Sequence, residues 1–184
     1  MSRFANAAVF QAGWFASILS AANDMPWTAA MAALAVVAAH LWLTPDFQAE
    51  LKLVLAAGLI GAIWENALAL AGWTVFQDGQ LISNTAPLWM VAQWMLFATT
   101  LNLSLSWLKP RLAVAALFGA IGAPLSYLAG ERLGALSMPQ HQEALIALAL
   151  GWAVLTPSLV LLARRWDGSR PAPPITLVDG VRHA

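Results

Sequence analysis

Leu51 to Trp73 reads LKLVLAAGLIGAIWENALALAGW, an apolar run long enough to cross roughly 30 Å of hydrocarbon as one helix. Its charges are Lys52 at one end and Glu65 well inside. A bilayer interior leaves no unpaired backbone group, so a run of this length implies a membrane helix.

Five further runs flank it: Phe4 to Ala22, Met25 to Thr44, Pro87 to Leu108, Leu112 to Gly130 and Ala144 to Trp166. Between them Asn23-Asp24, Thr44-Pro45-Asp46, Asp78-Gly79, Lys109-Pro110 and Met138-Pro139 supply turn chemistry. Charged residues are 10% and hydrophobic ones 60% of the 184 residues, where a soluble domain carries about a quarter charged. The expected fold is therefore all-α, a polytopic bundle of six transmembrane helices over residues 1–166. A net charge of +0 speaks against nucleic acid as a partner, and the absence of cysteine excludes disulfides and thiolate metal sites. The first run is read as a retained helix despite Ser20-Ala21-Ala22, which resembles a cleavage site.

Orientation follows from Lys and Arg. With the amino terminus inside, Arg3, Lys52, Lys109, Arg111, Arg164, Arg165, Arg170 and Arg182 are cytoplasmic and Arg132 alone is outside. Trp27, Trp73 and Trp89 then fall near the outer boundary, and Trp42, Trp107 and Trp166 near the inner one. Asp167 to Pro174 is polar and proline-rich, so residues 167–184 read as a flexible cytoplasmic tail.

Glu65 is the residue most costly to bury. Gly58, Gly61 and Gly72 share its helix face and admit a close neighbour, so the carboxyl points into the bundle. The fourth run carries Trp89, Gln93, Thr100 and Ser104 on one stripe and Met95, Thr99, Asn102 and Ser106 on the next. Such groups need partners or a lined cavity. Depth counting gives two clusters: a candidate binding pocket of Glu65, Asn66, Trp89, Gln93 and Tyr127, and an inner polar cluster of Gln11, His40 and Asn102. Pro124 and Pro157 interrupt the fifth and sixth runs. No catalytic residue can be named. His40, His141 and His183 are isolated, so no metal is expected, and no cofactor motif is present. Ser106 and Lys109 have a nucleophile-to-lysine spacing, but a lysine at a helix end ordinarily snorkels to the interface.

Gln11 to Phe15, Pro87 to Met90, Phe97 to Asn102 and Gly122 to Tyr127 together resemble a bacterial inner-membrane family, domain of unknown function twenty-eight seventy-eight. The resemblance covers nearly all the chain up to the tail, and its most specific piece is Thr99-Thr100-Leu101-Asn102. In that family an aspartate and serine often stand where this chain has Glu65-Asn66, and a histidine often stands in place of Leu103. The resemblance implies a multi-pass protein of the bacterial inner membrane and a lipid-related role.

The function expected is an accessory bundle binding a lipid or small hydrophobic molecule at the pocket around Glu65. A small proton-coupled transporter is the alternative, and an intramembrane lipid-modifying enzyme a weaker one. Reporter fusions after Gly79 and after Ser169 are expected to report opposite sides of the membrane; an external signal from the Ser169 fusion overturns the orientation.

Overall fold

Capping and turn residues set where each helix begins and ends. In the computed structural model, which describes residues 2–169, six helices follow one another: α1 Arg3–Ala22, α2 Pro26–Trp42, α3 Phe47–Leu70, α4 Leu88–Leu101, α5 Leu112–Leu133 and α6 His141–Arg165. Ser2 caps α1 by accepting from the amide of Ala5 at 3.2 Å. Asp46 caps α3 by accepting from Ala49 at 3.1 Å, so α3 starts at Phe47 instead of Leu51 and takes Glu50 into its first turn. α5 runs past Gly130 and stops at Gly134, whose φ of +89° is the left-handed conformation that a helix C-terminus favours in glycine.

Four helices, α1, α3, α5 and α6, are long and apolar enough to cross a membrane; α2 and α4 are apolar but shorter. The outward faces are apolar as well. Leu59 and Ile63 on α3, Leu117 and Leu125 on α5, and Leu150 and Val154 on α6 are all more than half exposed, an arrangement suited to lipid as solvent.

The fourth run departs most from expectation. Its helix ends at Leu101, and Asn102 to Leu105 form turns before a short 3-10 segment at Ser106–Leu108. Ser104 and Ser106 therefore leave the polar stripes. α4 is the central helix, packed against α1, α2, α3 and α6. Backbone that stops being helical at this depth needs partners from the protein. Asn6 of α1 supplies them, donating to the carbonyl of Thr99 at 3.1 Å and accepting from the amide of Ser104 at 3.2 Å. Burial on every side, instead of one wide polar face, explains how α4 holds its polar residues.

The loops at one end carry a short antiparallel ladder that the periodicity does not reveal: β1 (Val75–Phe76) pairs with β2 (Leu136–Ser137), Val75 opposite Ser137 and Phe76 opposite Leu136. Phe76, Leu136 and Met138 are buried there. Trp89 joins them, its ring edge-on to Phe76 at 5.8 Å, so it is a core residue and not an interfacial anchor. At the opposite end residues 167–169 are tied down. Asp167 pairs with Lys109 at 2.9 Å, and the carbonyl of Gly168 accepts from Asp46 at 3.1 Å. The rest of the expected tail, residues 170–184, lies outside the described residues.

Close helix approach is concentrated at a few glycines. A Cβ on Gly61 would overlap the Trp94 indole, whereas one on Gly122 would meet nothing within 4 Å. Gly61→Ala is expected to destabilise by about 1–3 kcal/mol through overpacking. Gly122→Ala is expected to be neutral or mildly stabilising. Thermal unfolding in detergent compares them, and equal midpoints would contradict the packing assignment.

Candidate functional site

Desolvated carboxylates must be met by donors from the protein, and α3 carries one such group at each end of the bundle. Glu65 is fully buried, and its Oε1 accepts from the Trp94 indole N–H at 2.9 Å and from the Tyr127 hydroxyl. Three helices thus meet on one oxygen. Oε2 has no hydrogen-bond partner among the described residues. Gly61, one turn before Glu65, is what lets the Trp94 ring lie close enough to reach it.

Trp94 and Tyr127 are also wall residues of a cavity of ≈ 500 Å³ between α1, α4, α5 and α6, within the size range of small-molecule sites. Glu65 sits one layer behind that wall. Aromatic rings supply much of the lining: Trp94 stacks on Trp152 at 4.4 Å, and Phe97 meets Trp152 edge-on at 5.6 Å. Gln93 shares the lining, and neither its amide nitrogen nor its oxygen has a hydrogen-bond partner among the described residues. Deeper along α6, Trp152 Nε1 and Thr156 Oγ1 are likewise buried without partners. Leu136 of β2 lines the end next to the two-stranded ladder, under the apolar layer of Phe76 and Met138. Its exposed lining residues are Gln11 and Phe15 on α1 and Phe118 and Leu125 on α5.

The inner cluster is built around Glu50, which the expected helix boundary had left in a loop. Its carboxylate is fully buried; Oε1 meets His40 Nε2 at 2.8 Å and Oε2 accepts from Asn102 Nδ2 at 2.7 Å. Asn102 also donates to the carbonyl of Trp166 at 2.9 Å, tying the end of α6 to α2, α3 and α4.

Of the residues expected in the outer pocket, Glu65 and Tyr127 are hydrogen-bonded and Gln93 lines the same cavity. Asn66 is elsewhere: its side chain donates to Ala62 at 2.7 Å and accepts from the amide of Ala86 at 3.0 Å. Trp89 packs on Phe76 and is not a lining residue. Of the residues expected in the inner set, His40 and Asn102 meet on Glu50, whereas Gln11 is exposed and lines the cavity beside Trp94 and Tyr127. Gln93 and Asn102 both face protein or cavity; Asn102 is hydrogen-bonded to Glu50 and Trp166, whereas Gln93 lines the cavity without a hydrogen-bond partner among the described residues. Ser106 donates to the carbonyl of Leu103 and Lys109 pairs with Asp167, so their spacing does not form a nucleophile and base.

Glu50, Asn6 and Trp94 are the residues sequence reasoning missed. The N-cap signature of Asp46 ahead of Phe47-Gln48-Ala49-Glu50 was the available signal for the first. For Trp94 it was the rule that a buried indole N–H seeks an acceptor.

The chain belongs to the family described as a protein of unknown function, DUF2878, whose model matches residues 3–158. That stretch holds both carboxylates and every cavity-lining residue. No curated protein and no solved structure matches the chain.

The two carboxylates differ in how an amide would fit. Glu65 receives both donors on one oxygen, so Glu65→Gln keeps an acceptor for both and is expected to cost at most about 1–2 kcal/mol. Glu50 uses both oxygens, so Glu50→Gln must leave a partner unmet or reverse the His40 bond, and is expected to cost more, about 1–3 kcal/mol. Melting temperatures of the two purified variants decide; a Glu65→Gln protein less stable than Glu50→Gln overturns the assignment.

Proposed function

We propose that this chain is a six-span bacterial inner-membrane protein, both termini cytoplasmic, that binds a lipid or similar hydrophobic molecule in the cavity walled by Trp94, Tyr127 and Trp152. The observation that carries the reading is where the cavity opens. Its exposed lining is Phe15, Phe118 and Leu125, apolar side chains of α1 and α5, with Gln11 as the one polar residue beside them. An opening rimmed in this way communicates with acyl chains and not with water. At the outer end the layer of Phe76, Leu136 and Met138 supports a closed top.

The orientation is supported by the grouping of helix ends. Lys109 is joined to Asp167, and Asn6 to Ser104, at the end rich in Lys and Arg. α2 and α4 fall short of a full crossing by length alone, but α4 is surrounded by other helices, and its non-helical continuation to Leu108 is enclosed by protein.

The unpartnered Oε2 of Glu65 favours a second reading, a proton-coupled transporter. Against it, the buried face of α3 between Glu50 and Glu65 is Leu53, Val54, Ala57, Gly58 and Gly61, packed on Met95 and Trp94. That face offers no polar relay between the carboxylates.

Gly122 lines the cavity with open space beside it, so Gly122→Leu adds bulk at the opening without a backbone clash. Native mass spectrometry of protein purified from membranes is expected to show a retained lipid-sized mass in wild type and its loss in Gly122→Leu. A wild-type protein free of adducts, or adducts unchanged by Gly122→Leu, overturns the proposal.

A further inference from the structure

Two observations beyond the cavity's existence bear on what it holds. The first is Gln93. It is 8% exposed, lines the cavity, and has neither donor nor acceptor satisfied. An amide left this way costs free energy unless something in the cavity meets it. The lining contains no Lys, Arg, His, Asp or Glu. The second is a groove of ≈ 400 Å³ on α5, lined by Val114, Leu117, Phe118, Ile121, Gly122 and Leu125. Phe118, Gly122 and Leu125 belong to the cavity as well, so groove and cavity adjoin at these three residues.

Resting on the binding function proposed above, we infer that the occupant is a neutral long-chain lipid with a hydroxyl head, the head on Gln93 and the chain passing Gly122 into the α5 groove. A hydroxyl donates and accepts at once, which is what an amide with both functions unmet requires. A carboxylate or phosphate would satisfy the amide N–H but leave its oxygen unmet, and would bring a charge into a cavity holding no cation. A quaternary ammonium offers the amide no hydrogen bond at all. The rise of a helix places Gln93 and Tyr127 at similar depth, roughly 8–9 Å from the outer ends of α4 and α5, with Gly122 and then Val114 successively further in. A chain leaving Gln93 along that line lies parallel to the acyl chains of the bilayer.

The full chain in phosphatidylcholine nanodiscs, titrated with dibrominated octadecanol, octadecane, octadecyl sulfate and octadecyltrimethylammonium, tests this through quenching of the tryptophans that line the cavity. Octadecanol is expected to quench saturably at a concentration about tenfold below the other three, the worth of one or two hydrogen bonds. Gln93→Leu is expected to bind octadecanol and octadecane alike, and Gly122→Leu to lose saturable quenching by every probe while melting like wild type. Gln93→Met replaces Gln93→Leu if the latter melts early. If an ionic probe equals the alcohol, or the alcohol preference survives removal of the amide, the neutral head is wrong while the cavity remains a lipid site. If no probe quenches saturably in wild type, lipid binding itself falls.

Discussion

Hydrocarbon offers no hydrogen bonds, and the fold is organised around that constraint. Each group that cannot be left bare draws helices together: Glu65 joins α3 to α4 and α5, Glu50 joins α3 to α2 and α4, and Asn6 joins α1 to the end of α4. Apolar contact alone discriminates weakly between one helix pairing and another when lipid tails are equally apolar. The polar knots supply register, and small residues such as Gly61 allow the approach that closes them.

The same constraint makes exceptions informative. Nine buried side-chain polar atoms have no hydrogen-bond partner among the described residues, and four of them, both ends of the Gln93 amide, the hydroxyl of Thr156 and the indole N–H of Trp152, gather meaning from sharing one cavity. Stacked and edge-on rings hold the cavity wall in shape. A site pre-formed by aromatic side chains would lose little conformational entropy on binding, which fits the lipid ligand proposed above.

How much of this was legible beforehand depended on the length scale of the signal. Apolar runs reveal six helices because a membrane enforces length, and Glu65 stands out because a lone carboxylate in such a run is costly. The partners were harder. Tyr127 was reachable by counting depth along two helices, but Asn66 at the same depth turns to Ala86, because direction around a helix axis is not contained in depth. Glu50 was hidden by a four-residue difference in where α3 begins. Gln11 lies well inside α1 and His40 in the last turn of α2, so the two differ in level as well as in neighbours, and a six-helix arrangement cannot be ordered from one chain's periodicity. The ladder of β1 and β2 is too short to leave a period at all.

The unwound end of α4 bears on how the protein is made. Leu88–Leu101 spans 14 residues, roughly 21 Å of helix, short of a full crossing on its own. Its loose end is completed by Asn6, synthesised long before it, and by the carbonyl of Trp166, synthesised long after. During biogenesis α4 therefore leaves the ribosome with its polar end incomplete, and the last of its native hydrogen bonds closes only when the final helix has been translated and has packed against α3, α4 and α5. Assembly of the core is in this sense post-translational, and a chain truncated before α6 would hold Asn102 at membrane depth without its carbonyl acceptor.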